Sequence, residues 1–319
     1  MKKILIALPI EENQRPWLEE QAAGGEACSF LYRTPDGVVP ADMEGVQAVI
    51  GTISRKPIAA AKDLEWLQLS WAGADLFTAP GLLADNVILT NASGAYGLAV
   101  AEHMLATTLA LMKRLHQYGR QQDAHVWELL GMVSSLEDAT VLVLGLGDIG
   151  RYYARMVNAL GAHVIGVKRT PGEKPDYVEE LYTLDALDAQ LGRADVVAMV
   201  LPGGAQTEHI MDERRLRLMK QGAFLINDGR GGAIDPAGLK RVLADGLLGG
   251  VALDVTEPEP LPADDPLWDD PRVIITPHCS GKFLLPQTLE RVVKLCGENL
   301  RRYTHGEPLL HIVNRQIGY

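Results

Sequence analysis

Val141-Leu142-Val143-Leu144-Gly145-Leu146-Gly147-Asp148-Ile149-Gly150 is a short apolar run that breaks into glycines and then into a helical pattern reaching Leu160. A second apolar run over 162–167 follows, so the glycines fall between strand and helix of one β-α-β unit. There Gly145 makes a tight turn, Gly147 lets the backbone approach a pyrophosphate, and Gly150 lets the helix pack closely on the strand. The helix amino terminus receives the negative charge. A G-x-G-x-x-G alone marks a turn more often than a site; the flanking strand, helix and second strand decide for a dinucleotide. At the end of that second strand an acidic residue would take the ribose hydroxyls of NAD. Lys168, Arg169 and Thr170 stand there instead, two cations and a hydroxyl suited to a 2′-phosphate. The expected cofactor is NADP(H), preferred to NAD(H).

The alternation continues on both sides. Short apolar runs occur at 4–8, 48–50, 67–69 and 87–90 before this unit, and at 196–201, 224–226, 251–255 and 273–276 after it. Helical spacing between them predicts a parallel α/β chain. One long helix is expected over 99–118, where Ala101, Met104, Leu105, Thr108, Leu111 and Met112 recur at helical intervals, with a domain boundary at its start. The last helix is expected over 286–304, with proline in its first turn and Gly306 beyond its end. Packed on the amino-terminal strands, it makes the first domain discontinuous, 1–98 with 286–319, leaving 99–285 as the dinucleotide-binding domain.

A chain of 319 residues has room for two ordinary cores. An apolar fraction of 47% and a charged fraction of 22% exclude disorder, collagen and coiled coil. The 41 acidic and 30 basic residues leave a net charge of −11, which opposes nucleic acid and anionic membrane surfaces as partners. Cys28, Cys279 and Cys296 are odd in number and widely spaced, without the pairing of a metal or redox site, which fits reduced thiols in a cytoplasmic protein and no metal. Residues 4–10 run directly into Glu11-Glu12-Asn13 and read as a first strand rather than a signal peptide. No run approaches the length of a membrane helix.

Three segments place polar residues at carboxyl ends of expected strands, where open α/β sheets bind ligands. In Ile226-Asn227-Asp228-Gly229-Arg230-Gly231-Gly232 the glycines allow a sharp turn that holds Arg230, a clamp for a carboxylate or carbonyl. Leu253-Asp254-Val255-Thr256-Glu257-Pro258-Glu259-Pro260 and Ile275-Thr276-Pro277-His278-Cys279-Ser280-Gly281 supply a carboxylate and a histidine for acid–base work. Singly, Arg230 reads as a surface ion pair, Glu259 as a loop charge and His278 as a strand-end histidine. Cys279 reads as a small buried thiol.

In order along 141–277, the G-x-G-x-x-G loop, N-x-G-R-G, G-x-A-L-D-V-x-E-P-E-P-L-P and T-P-H resemble the D-isomer-specific 2-hydroxyacid dehydrogenases. Weaker similarity extends over most of the remainder, including Ser70-Trp71-Ala72-Gly73-Ala74-Asp75 and Ala101-Glu102-His103. The resemblance implies two Rossmann-like domains with parallel sheets, an active site in the cleft between them, and a homodimer whose contact includes the helix after Ala99. It implies that backbone amides of Ala72, Gly73 and Ala74 hold the substrate carboxylate with help from Arg230. It makes His278 the acid/base with Glu259 as carboxylate partner, and leaves Glu257 to loop structure. Asp254 is implied to contact the nicotinamide side of the cofactor. Asp148, Ile149, Leu201, Pro202, Thr207, Asp228, Gly229, Ser280 and Gly281 are implied to line the rest of its site.

The implied reaction is NADPH-dependent reduction of a small 2-oxo acid to the D-2-hydroxy acid, with glyoxylate and hydroxypyruvate the first candidates. Trp71, Tyr96 and Trp127 could line a pocket for a bulkier acid, but each reads first as core. Three departures bear on substrate choice: Asp228 where an uncharged residue is commoner, Gly203-Gly204-Ala205-Gln206 in place of a threonine-rich loop, and Lys282-Phe283 after the histidine motif. A nucleotide-sensing corepressor resembling the same fold is the alternative. A short-chain dehydrogenase fits worse, because Tyr96, Tyr118, Tyr152, Tyr153, Tyr177 and Tyr182 have no lysine four positions on.

Overall fold

The computed structural model describes residues 1–318. Two compact units form, Met1–Tyr96 with the residues from Leu285 on, and Gly97–Leu284.

The first unit is a five-stranded parallel sheet of β1 (Lys2–Ile6), β2 (Cys28–Tyr32), β3 (Val46–Ile50), β4 (Trp66–Gln68) and β5 (Ile88–Thr90), ordered β2-β1-β3-β4-β5. Parallel strands covered on both faces need continuous apolar runs, and Ile4, Leu5, Ile6, Val49, Ile50 and Leu67 are buried accordingly. The helix Pro286–Thr304 turns Val292, Val293, Cys296 and Leu300 inward. Its Asn299 donates through Nδ2 to Gln68 Oε1 (2.7 Å), which also accepts from Thr90 Oγ1 (2.8 Å), itself an acceptor for Trp66 Nε1 (2.8 Å). These polar groups are buried, so each bond protects its partner from the cost of burial unpaired. Trp71 and Ala72 follow β4, their carbonyls held by Ala92 N (2.9 Å) and Asn91 Nδ2 (2.6 Å).

The second unit is a seven-stranded parallel sheet of β6 (Thr140–Leu144), β7 (His163–Lys168), β8 (Glu180–Thr183), β9 (Val196–Met199), β10 (Phe224–Asn227), β11 (Gly250–Leu253) and β12 (Val273–Ile275). Its order is β12-β11-β10-β9-β6-β7-β8. From β6 the chain builds outward to β8, then returns across β6 to β9, and such a reversal opens a crevice at the carboxyl ends of the two strands. Leu142, Leu144, Val197, Met199, Leu225 and Val251 anchor the core. Together the two sheets make an α/β fold of Rossmann type, and no helix among the described residues is long and apolar enough to cross a membrane.

Three features differ from the sequence reading. β2 and β8 are additional strands; both are sheet edges of intermediate burial, so neither leaves a continuous apolar run. The expected single helix over 99–118 is two helices, Gly97–Met112 and Leu115–Asp123, broken where Arg114 takes a left-handed φ of 56°. The break is held from outside: the Arg114 guanidinium donates to the Leu130 carbonyl and Lys113 Nζ to that of Ser134 (2.6 Å). Of the aromatics read as core only Tyr96 is buried, its hydroxyl donating to the Ser70 carbonyl (2.5 Å). Trp71 is half exposed, and Trp127 is 99% exposed beside Leu129 at 93% and Met132 at 89%.

Candidate active site

Every candidate residue of the second unit lies at a carboxyl end of its sheet. Gly145, after β6, has φ 102°, and a Cβ there would stand 2.8 Å from the Val200 carbonyl oxygen. A Cβ on Gly150 would stand 2.0 Å from the Gly145 carbonyl oxygen, so only hydrogen fits between loop and helix. On Gly147 a Cβ would meet nothing within 4 Å. The glycines therefore close two sides of a cradle and leave the third open, ahead of a helix, Asp148–Ala159, whose N-cap Gly147 provides no side-chain cap. That geometry fits a dinucleotide pyrophosphate.

Lys168 ends β7 and Arg169 and Thr170 follow, exposed, beside the cradle. Leu201 and Pro202 follow β9, where a Cβ on Gly229 would be 2.7 Å from Leu201 N. The Thr207 hydroxyl donates to the Pro202 carbonyl (2.7 Å) and closes that loop on itself.

Arg230 stands on a pinned backbone. Asn227 Nδ2 donates to the Arg230 carbonyl (3.0 Å), Gly229 N donates to Asn227 Oδ1 (3.1 Å), and a Cβ on Gly231 would be 2.0 Å from the Thr256 carbonyl oxygen. His278 follows β12 in a left-handed conformation, φ 48°, and its Nδ1 lies 2.6 Å from Glu259 Oε1. Both side chains are about half exposed, 45% and 44%, so the histidine can meet a ligand. Glu257 turns the other way, to His209 Nε2 at 3.1 Å.

The strained turn at His278 is held by Asp254. His278 N donates to the Asp254 carbonyl (2.8 Å). The Asp254 carboxylate accepts from Thr276 Oγ1 (2.6 Å) and Cys279 N (2.9 Å) on one oxygen, and from Ser280 N (3.1 Å) and Ser280 Oγ (2.6 Å) on the other. Burial alone would raise this carboxyl, but the Ser280, Thr276 and Cys279 donors outweigh it and leave the group below its ordinary range. Sequence reasoning puts Asp254 against the nicotinamide; in the structure both of its oxygens accept hydrogen bonds from the turn carrying His278 and Ser280, with Gly281 beyond. Thr276 and His103 were not singled out for this turn, yet His103 Nε2 lies 3.1 Å from Thr276 Oγ1 and extends the network into the helix Gly97–Met112. In the sequence that link shows as the polar pair Glu102-His103 in a mostly apolar helix and as the threonine of T-P-H.

Asp228, after β10, is buried, and neither carboxylate oxygen has a hydrogen-bond partner among the described residues. Burial pushes its pKa well above the ordinary value and the charge of Asp254 adds to this, with the Ser280 hydroxyl pulling the other way. That hydroxyl gives its one proton to Asp254, so Asp228 remains unpartnered. No group of three or more potential metal ligands is assembled among the described residues.

Residues 105–280 match the family model described as D-isomer specific 2-hydroxyacid dehydrogenase, NAD binding domain. A solved D-isomer specific 2-hydroxyacid dehydrogenase family protein from Aeromonas salmonicida subsp. salmonicida A449 is 30% identical, superimposes with a TM-score of 0.84, and covers 98% of this chain and 99% of its own. The NADPH-dependent glyoxylate/hydroxypyruvate reductase from Sinorhizobium meliloti, solved with NADP and sulfate, is 26% identical with a TM-score of 0.81 over 100% of both chains. A D-3-phosphoglycerate dehydrogenase of Mycobacterium leprae (strain TN) is 31% identical over 84% of this chain, but this covers only 50% of that protein. With the glycine cradle and these matches together, the chain belongs to the D-isomer specific 2-hydroxyacid dehydrogenase family and is an oxidoreductase that uses a nicotinamide cofactor on CH–OH groups.

Proposed function

We propose that this enzyme reduces a small 2-oxo acid of the glyoxylate or hydroxypyruvate kind to the D-2-hydroxy acid, with NADPH preferred to NADH. The observation that carries the reading is the 2.6 Å contact of His278 Nδ1 with Glu259 at the carboxyl end of the sheet that bears the glycine cradle. Lys168 and Arg169 support the NADPH preference, and the Sinorhizobium meliloti relative is named for both the cofactor and the acids.

In this reading the second unit binds cofactor and the first binds substrate. Gly145, Gly147, Asp148, Ile149 and Gly150 take the pyrophosphate, Lys168, Arg169 and Thr170 the 2′-phosphate, Asp254 the nicotinamide side, and Leu201, Pro202, Thr207, Asp228, Gly229, Ser280 and Gly281 flank the remainder. For Ala72, Gly73 and Ala74 the role is to hold the substrate carboxylate by backbone amides. When bound, the reduced nicotinamide supplies a hydride to the carbonyl carbon. Glu259 accepts a hydrogen bond from Nδ1–H of His278, which fixes the ring while that proton stays on Nδ1, and leaves Nε2–H to protonate the carbonyl oxygen. Arg230 offers a planar pair of donors to the carboxylate and the developing alkoxide. His278 leaves the step neutral and regains its proton from solvent.

The test is the ratio of kcat/KM with NADPH and NADH across glyoxylate, hydroxypyruvate, pyruvate, phenylpyruvate and branched 2-oxo acids. NADPH and one short acid are expected to dominate. His278→Ala is expected to lower kcat by about 10²- to 10⁴-fold with cofactor affinity kept. Cofactor binding without turnover on any acid would replace this reading with that of a nucleotide sensor.

A homodimer belongs to the same proposal, supported by the exposed apolar side chains of Trp127, Leu129 and Met132, a concentration that marks interaction surfaces. Free thiols at Cys28, Cys279 and Cys296 support a cytoplasmic location.

A further inference from the structure

The ends of β10 and β11 bring two carboxyl groups together. Asn227 and Leu253 are paired across these strands, so Asp228 and Asp254 leave the sheet side by side. One of them is fully provided for, since Asp254 accepts four hydrogen bonds from residues 276–280. The other has none, with both oxygens buried and unpartnered. Other titratable groups adjoin the pair. From the helix Gly97–Met112 comes His103, whose Nε2 is 3.9 Å from Asp254 Oδ1. From the helix Asp148–Ala159 comes Tyr153, its phenol raised by burial and further by the Asp228 carboxyl, while the Thr108 hydroxyl opposes. The histidine turn adds Cys279, a thiol raised by burial and by the Asp254 charge. Arg230 lies two residues along the chain from Asp228.

A buried anion without a donor is far costlier than a neutral acid in the same place, and a second anion beside Asp254 compounds that cost. The unequal provision of donors therefore decides which of the two keeps a proton. We propose that Asp228 is a positioning residue that works as a neutral acid: by keeping its proton it leaves Asp254 the only anion of the pair, and so holds the turn that carries His278. When Asp228 ionises, the repulsion is relieved by opening residues 276–280 to water, which breaks the Cys279 and Ser280 bonds to Asp254. The folded state binds this proton more tightly than the unfolded chain. Its stabilising effect is thus complete at acid pH and declines as pH rises from the ordinary carboxylate value toward the raised one.

The effect on turnover rests on His278 being the acid–base residue, whereas the turn itself can be followed without the reaction. In protein carrying ¹³C-labelled aspartate, the Asp228 carboxyl carbon, assigned through its own backbone, is expected to be protonated at pH 7. Amide exchange in the cofactor-free protein is the second readout. Protection of Cys279 and Ser280 is expected to fall at least about tenfold as Asp228 ionises, and to stay level over the same range in Asp228→Asn. The alkaline limb of kcat, normalised to each protein's own maximum, is expected to move upward by about one pH unit in Asp228→Asn. An Asp228 carboxyl already ionised at pH 7, a measurement that needs no variant to fold, would overturn the proposal. Equal loss of protection in both proteins would overturn it too. Protection that behaves as expected while the two kcat profiles coincide supports the latch and removes His278 from the reaction.

Discussion

At the end of β7, Lys168 and Arg169 stand where a carboxylate would bind ribose hydroxyls, and in the proposed reading the choice between cofactors turns on these two side chains. A 2′-phosphate carries more than one negative charge and needs donors; a 2′-hydroxyl needs an acceptor. Replacing both, as Lys168→Ser with Arg169→Asp, is expected to cut kcat/KM for NADPH by at least about a hundredfold, two charge-assisted contacts' worth, while NADH is spared or improved. Equal losses with the two cofactors would show that these side chains support the fold rather than read the phosphate. At this scale the sequence was informative where chemistry sits on backbone-pinned turns, as with His278 and Glu259, which the fold brings to 2.6 Å. It marked Asp254 and Asp228 as site residues but not their different states, because the letter Asp is the same for a carboxylate with four donors and for a buried acid with none.

Elements were legible in proportion to their burial. Central strands such as β6 and β9 are covered on both faces and must be apolar throughout, so their runs mark them. β2 and β8 have one neighbour each and intermediate burial, and their mixed composition hid them. The break at Arg114 was hidden for another reason: bonds to Leu130 and Ser134, well beyond any local window, hold it. The glycine loop yields the sharpest contrast among elements. Gly150→Ala drives a methyl to within 2.0 Å of the Gly145 carbonyl oxygen and is expected to destabilise the unit by about 1–3 kcal/mol, seen in chemical denaturation. Gly147→Ala meets no protein atom within 4 Å, so stability is expected to hold while cofactor affinity, read by fluorescence titration, falls at least about tenfold. If both variants behaved alike, the cradle would be wrongly assigned.

For the whole molecule, the strongest unexplained surface feature is the apolar stretch of Trp127, Leu129 and Met132. Sedimentation equilibrium is expected to return twice the mass of one chain, and Trp127→Ser with Leu129→Ser to weaken self-association at least about tenfold, since buried tryptophans commonly dominate interfaces. A wild-type protein that sediments as a single chain would reject the dimer. Asn299 carries a different consequence. Its bond to Gln68 joins residues 231 positions apart, and its contacts with Leu310 recruit still later residues. On the ribosome, Gly97–Leu284 can emerge complete and begin to fold while the first unit still waits for its closing helix. Strands made before the second unit are therefore finished after it, and while unpaired their apolar faces are what chaperones would meet during synthesis.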